Sequence, residues 1–148
     1  MTSAKPWLVL VLLSQIAIPL VAQNSPSAES DAPRKFDKSV YLELAKAPAK
    51  AARKRNPMER DPDAIAAGAK LFDQHCAECH GELGEGARKG PSLRVPEVHD
   101  AAPGALFWLL TNGVVRKGMP VWSKLPEPQR WQIVSYVKSL VPFPEPAP

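Results

Sequence analysis

Apolar positions in the second half of the chain recur with the spacing of helices, and turn residues separate the recurrences. Asp61 can cap a helix and Pro62 suits its first turn, so the apolar-rich stretch that follows predicts a helix from about 62 to 75. Similar signals predict a second helix from about 100 to 112, ended by an Asn-Gly pair, and a final helix from about 126 to 140. No strand pattern competes with these helices, which predicts an all-α fold.

The first 22 residues have the pattern of an export signal. Lys5 precedes an apolar run from 7 to 13, and the segment ends in small and apolar residues up to Ala22. The apolar stretch is short for a membrane crossing, which favours a signal that is cleaved after Ala22. Leu20 is larger than the residue preferred at the third position before such a cut, so an uncleaved anchor stays an alternative.

The segment between this signal and the first main helix has the composition of an extension. Residues 23 to 34 are rich in Ser, Pro, Ala and Asp, which predicts partial disorder, and the stretch from 34 to 60 holds nine Lys or Arg against three Asp or Glu. We interpret this basic stretch as a solvated linker, with contact to anionic lipid or an acidic partner as the alternative; no motif supports a nucleic-acid role. Phe36, Val40 and Leu44 recur at four-residue spacing, which is compatible with a short helix. The expected organisation is therefore a signal or anchor at 1–22, a Pro- and Ala-rich basic linker at 23–60, the folded domain at 61–141 and a Pro-rich tail at 142–148.

The chain contains two cysteines, and both lie in the sequence Cys76-Ala77-Glu78-Cys79-His80, which fits the C-x-x-C-H pattern of haem attachment. Two cysteines three residues apart on a helical turn lie on one side of it, so both can bond the vinyl groups of one haem while His80 turns its imidazole under the iron. The alternatives are a thioredoxin-like redox pair, which expects a neighbouring strand, and a Cys2His2 zinc site that uses His75 or His99. We predict one covalent haem with His80 as an iron ligand, and we expect His75 to face solvent.

A six-coordinate iron needs a second ligand, for which the downstream candidates are Met119 and His99. Met119 lies between Gly118 and Pro120 in an irregular segment, where a fixed loop can direct a thioether at the iron. We predict Met119 as the ligand and expect Met58, which precedes the first main helix, to be a bystander.

At this point the chain resembles a class I cytochrome c, over residues 61 to 140. The resemblance rests on Gly68 and Phe72 before the haem motif, on Gly90-Pro91-Ser92-Leu93 and Gly118-Met119-Pro120 after it, and on Tyr136 in the terminal helix. It is nearest to small bacterial mono-haem cytochromes. It implies a small domain of about three to four helices wrapped around one covalent haem c, and it leaves the first sixty residues unexplained.

The resemblance also implies roles for residues outside the motif. The first main helix should cross the last one, with Gly68 and Phe72 against Ile133 and Tyr136, because glycine permits a close approach. The carbonyl of Pro91 should accept a hydrogen bond from His80, which would fix the orientation of the imidazole. The residues expected to wall the haem are Leu93, Trp108, Leu109 and Trp122.

The function implied is that of a periplasmic or otherwise extracytoplasmic electron carrier, not an enzyme. Its partners would be redox proteins, a dehydrogenase or a terminal oxidase, on which it docks transiently, and membrane contact through the N-terminal segment stays open. One alternative is an electron-transfer subunit tethered to a single complex. Another is a haem enzyme or gas sensor with an open iron position, which requires that Met119 does not bind the iron.

Overall fold

The computed structural model describes residues 38 to 143. The predicted signal segment, Phe36 and the last five residues of the tail lie outside the described residues. The elements in chain order are a 3-10 helix at Lys38–Lys46, α1 at Ala49–Ala52, α2 at Pro62–His75, α3 at Ala77–His80, α4 at Pro96–His99, α5 at Pro103–Asn112, a 3-10 turn at Val115–Lys117 and α6 at Glu127–Ser139. The predicted all-helical fold is confirmed, and no helix between residues 38 and 143 combines the length and apolarity that a membrane crossing needs.

Local signals account for the bounds of α2. A carboxylate oxygen of Asp61 accepts hydrogen bonds from the backbone N–H groups of Asp63 at 3.0 Å and Ala64 at 3.4 Å, so the residue caps the helix as predicted. Pro62 occupies the first turn, where its missing N–H costs nothing. The helix ends at His75, which matches the predicted range of 62 to 75.

The crossing of α2 and α6 organises the domain. A Cβ atom at Gly68 would lie 2.0 Å from the carbonyl oxygen of Gln132, so only glycine lets the two backbones approach this closely. One helical turn further along α2, the rings of Phe72 and Tyr136 pack with their centroids 5.1 Å apart. Ile133, also on α6, is buried. The structure confirms the predicted crossing.

The core lies between α2, α4, α5 and α6. Phe72 is its most buried large side chain at 1% exposure, and Phe107 of α5 stacks on Trp131 of α6 with ring centroids 4.0 Å apart. The buried apolar cluster consists of Phe72, Val98, Leu106, Phe107, Leu110, Trp131, Ile133, Val134 and Val137.

Residues 38 to 60 differ from the expected linker, because they pack against the domain. Asn56 is buried, and its amide donates to the hydroxyl of Ser135 on α6 at 2.8 Å. Ser135 in turn donates to the carbonyl of Met58 at 3.0 Å. On α5, a Cβ at Gly104 would lie 2.2 Å from the carbonyl oxygen of Ala51, so α1 lies directly against that helix. The basic composition of the segment did not indicate that Asn56 and Met58 would form hydrogen bonds with a residue more than 70 positions away along the chain.

Candidate haem site

An apolar cavity of about 330 Å³ lies beside the crossing helices. Its wall contains Cys76 and Cys79, His80 and Met119, although they come from two segments that are far apart in the sequence. The structure therefore brings together the four residues that were predicted to hold one haem.

The end of α2 and the single turn α3 position the attachment motif. The N–H of Cys76 donates to the carbonyl of Phe72 at 2.7 Å, and its own carbonyl accepts from the N–H groups of Cys79 at 3.0 Å and His80 at 2.9 Å. Both cysteines are free and half-buried. Desolvation by burial, with a smaller contribution from Cys79, raises the pKa of the Cys76 thiol to about 12. The motif lies at the junction of two helices, α2 and α3, whereas the thioredoxin-like alternative expects a neighbouring strand.

The imidazole of His80 is oriented by the loop that follows the motif. Its Nδ1 donates to the carbonyl of Pro91 at 2.8 Å, which confirms the predicted hydrogen bond. Burial lowers the pKa of His80 and outweighs the opposite effect of this bond, so the ring is favoured in its neutral form. With the proton on Nδ1, the lone pair of Nε2 is left to bind a metal ion.

Gly90 is a site residue whose role sequence reasoning missed. A Cβ at this position would lie 2.7 Å from the carbonyl oxygen of Cys79 and 3.2 Å from Cε1 of His80. The loop can therefore approach the motif closely enough for the bond from His80 to Pro91 only with glycine here. The sequence signal was its place directly before that proline.

Met119 is held by a tight loop, which we define as residues 113 to 120 and call the Met119 loop. The backbones of Val114 and Met119 exchange two hydrogen bonds, at 3.0 and 3.2 Å, and form an isolated bridge. Gly118 closes the loop with a φ of +91°, a value that favours glycine. The fixed backbone supports the predicted direction of the thioether towards the cavity.

The other candidate ligands lie away from the cavity. His99 is exposed, and its Nδ1 lies 3.2 Å from a carboxylate oxygen of Asp100. Met58 packs against the core but does not line the cavity. Across residues 38 to 143, no group of three or more His, Cys, Asp or Glu side chains is arranged to hold a metal ion.

The predicted wall of the cavity is present except for one residue. Pro91, Leu93, Leu109 and Trp122 all line the cavity, whereas Trp108 does not. The prediction that Trp108 walls the haem is therefore wrong. Consecutive residues of a helix are about 100° apart around its axis, so Trp108 points away from the cavity that its neighbour Leu109 faces. His75, which was expected to face solvent, is half-buried and lines the cavity, where its ring lies 5.2 Å from that of Trp122.

The 3-10 helix Lys38–Lys46, which we call the clasp helix, forms a further wall that sequence reasoning assigned to a linker. The residues that line the cavity from it are Val40, Tyr41, Glu43 and Leu44. The hydroxyl of Tyr41 donates to the carbonyl of Ser92 at 2.9 Å, next to the proline that orients His80. The spacing of Val40 and Leu44 was the available signal for this packing.

Glu43 is the most enclosed charge of the clasp helix, at 8% exposure. Its carboxylate pairs with Lys46 at 2.8 Å, with Arg116 at 2.7 Å and with Lys117 at 3.4 Å. Hydrogen bonds from Lys46 and then Arg116 lower the pKa of Glu43 to about 2, against the opposing effect of burial. The carboxylate is therefore ionised at neutral pH.

These residues fit a haem bound through its edge and its iron. The cavity offers apolar walls for the ring, two cysteine thiols for attachment, one imidazole with a free Nε2 and one thioether.

Comparisons with known proteins agree with this chemistry. The family model described as Cytochrome C oxidase, cbb3-type, subunit III matches residues 63–137, just over half of the chain. Over 116 residues the chain is 29% identical to the Cbb3-type cytochrome c oxidase subunit CcoP of Rubrivivax gelatinosus, and this alignment covers 77% of this chain and 36% of that protein. Over 75 residues it is 36% identical to the Quinohemoprotein alcohol dehydrogenase ADH-IIG of Pseudomonas putida, and this alignment covers 49% of this chain and 10% of that protein.

A solved structure is similar as well. The crystal structure of cytochrome cL from Methylophaga aminisulfidivorans aligns with a TM-score of 0.52 and 25% identity, over 72% of this chain and 68% of that one. The chain spans about a third or less of the length of the two curated relatives it matches.

Proposed function

This chain belongs to the family of cytochrome c domains described as Cytochrome C oxidase, cbb3-type, subunit III, and we propose that it is an exported mono-haem electron carrier. A cytochrome c domain implies covalently bound haem c and is typically an electron carrier. The proposal adds one haem per chain, its ligands, and electron transfer between a dehydrogenase or membrane complex and an oxidising acceptor.

One observation carries the proposal. His80 donates from Nδ1 to the Pro91 carbonyl at 2.8 Å, inside a cavity that both cysteines and Met119 also line. This bond leaves Nε2 as the ligand atom and supports His80 and Met119 as the two axial ligands, with Cys76 and Cys79 forming the thioethers.

The bound haem supplies a one-electron couple, and the residues of this chain tune it. His80 and Met119 together would leave no position on the iron for a substrate, which favours a carrier over an enzyme. A methionine ligand and apolar walls such as Leu93, Leu109 and Trp122 exclude water and raise the reduction potential, so we expect a fairly oxidising acceptor.

A second candidate is an electron-transfer subunit tethered within one complex. It is favoured by the relatives, which are named as an oxidase subunit and a dehydrogenase and are much longer than this chain. Fractionation of cells that produce the chain separates the two proposals. Recovery in the periplasm, or release from membranes by salt alone, supports the free carrier, whereas copurification with one complex through detergent extraction supports the subunit.

Optical spectroscopy tests the ligand set. We expect the oxidised protein to have the weak near-infrared methionine–iron band and the reduced protein to bind carbon monoxide slowly. Met119→Ala should lose the band and bind the gas rapidly, whereas Met58→Ala should keep the wild-type behaviour because Met58 does not line the cavity. A wild type without the band, with rapid gas binding, would contradict the carrier and favour an open-site haem enzyme or sensor. The intact mass should exceed that of the mature chain by one haem.

A further inference from the structure

We propose that Glu43 is a positioning residue that holds the Met119 loop in place through Arg116 and Lys117. The inference rests on the proposed ligation of the iron by Met119, and it extends the haem site to a segment that lies outside the family-matched residues 63–137. The role assigned to Glu43 is to keep the thioether in place against competing ligands.

The first step is the unusual enclosure of the Glu43 carboxylate. Its side chain is 10% exposed, whereas those of its partners Arg116 and Lys117 are 67% and 36% exposed. The acid is therefore fixed in the clasp helix, and the two cations reach it from the surface of the Met119 loop. Ionised partners and an enclosed acceptor make these contacts stronger than ordinary surface ion pairs.

The second step is the stiff connection between those cations and the ligand. The N–H of Lys117 donates to the carbonyl of Val114 at 2.8 Å, and the N–H of Gly118 donates to the carbonyl of Val115 at 3.0 Å. Val114 is joined to Met119 by the two hydrogen bonds of the bridge. Because the loop is one hydrogen-bonded unit, holding its tip restrains Met119.

The third step is that the clasp helix is itself anchored away from this loop. The hydroxyl of Tyr41 donates to the carbonyl of Ser92, on the loop that orients His80, at 2.9 Å. Glu43 thus ties the Met119 loop to the part of the protein that carries the other axial ligand. Without its charge, the neighbouring cations at 116 and 117 would lose their shared counter-ion and repel each other.

The consequence is kinetic and can be measured with imidazole as an external ligand. Imidazole must wait for Met119 to leave the iron, so its binding to the oxidised protein reports how often the Met119 loop opens. Glu43→Gln keeps the shape of the side chain and removes its charge. We expect it to accelerate imidazole binding about three- to tenfold, the size expected for a network of charge-assisted hydrogen bonds.

Stopped-flow mixing of oxidised holoprotein with imidazole, followed at the near-infrared band, gives this rate. Glu97→Gln is the matched control. It removes the 3.6 Å ion pair between Lys38 of the same helix and Glu97 of α4, whose side chains are 73% and 32% exposed and do not belong to the Met119 loop. Because such an exposed pair contributes little, the rate of this variant should equal that of the wild type. Arg116→Gln should accelerate binding as Glu43→Gln does, and the double variant should be no faster than the faster single variant. Glu43→Asp keeps the negative charge on a shorter side chain, so its rate of imidazole binding should lie between those of the wild type and Glu43→Gln.

The outcomes separate the two proposals. If the wild type has the band and Glu43→Gln binds imidazole at the wild-type rate, the role of Glu43 is overturned while Met119 ligation stands. If Glu97→Gln accelerates binding as much as Glu43→Gln, the effect is general loosening and the positioning role is overturned. A wild type without the band overturns Met119 ligation and this inference with it.

Discussion

Replacing Gly68 with alanine should destabilise the domain, although alanine is the better helix former. The added methyl carbon would lie 2.0 Å from the carbonyl oxygen of Gln132, and an ordinary contact of that kind needs about 3.5 Å. The helices α2 and α6 must therefore separate by about 1.5 Å along this line, since the obstacle is backbone. Overpacking of this severity costs about 3 kcal/mol, and the propensity of alanine returns about 1 kcal/mol. The net expectation is a loss of about 2 kcal/mol.

Urea unfolding of the haem-loaded protein, followed by far-ultraviolet circular dichroism, measures this loss. With a slope of about 1 to 3 kcal/mol per molar, the midpoint of Gly68→Ala should fall by about 1 M. The control is Ala66→Gly, at an exposed position of the same helix, which should cost about 1 kcal/mol by propensity alone. If propensity governed both sites, the two variants would shift the midpoint in opposite directions. A Gly68→Ala protein as stable as the wild type would refute the close crossing.

Three further predictions concern buried polar groups and the imidazole of the haem site. Asn56→Ala should lower the free energy of unfolding by about 2 kcal/mol, because the hydroxyl oxygen of Ser135 loses its buried donor and the N–H of Met58 loses its acceptor; a loss no larger than that of the exposed Asn112→Ala would contradict this. The folded-state pKa of Glu43 is about 2, below its ordinary 4.5, so its ion pairs stabilise the fold fully above pH 4.5 and lose this effect as the pH falls towards 2. As the pH is lowered across that range, the urea midpoint of Glu43→Gln should fall less steeply than that of the wild type. Parallel curves for the two proteins would refute the stabilising role of the ionised Glu43 carboxylate. Gly90→Ala should raise the reduction potential in a redox titration, because the methyl group weakens the bond that makes the ligand imidazole a stronger donor; an unchanged potential would mean that the bond survives.

The parts of the fold that could be predicted are those specified by neighbouring residues. Asp61 and Pro62 mark the start of α2 because a cap acts within three residues of itself, and the structure has that helix at Pro62–His75. The attachment motif is local for the same reason, since Cys76 and His80 share one turn. The bond from His80 to Pro91 spans eleven residues and followed from the family resemblance rather than from local chemistry.

The parts that were missed depend on partners that are remote in the sequence. Glu43 is one acid in a basic stretch, and nothing near it indicates that Arg116, 73 residues away, will bind it. Asn56 pairs with Ser135 across an even longer separation. Trp108 was misplaced for a different reason: residues 104 to 110 are almost all apolar, so the sequence of α5 does not reveal which side faces the cavity.

If His80 and Met119 bind the iron as we propose, the hold on both ligands depends on a segment outside the family-matched residues 63–137. A functional site holds its geometry when the residues behind the ligands are themselves fixed. In this chain, Tyr41 fixes the loop behind His80 and Glu43 fixes the loop of Met119, and both side chains belong to one helix of nine residues. It follows that the access of small ligands to the iron can be changed in this protein at residues 38 to 46 without altering any residue that touches the haem iron.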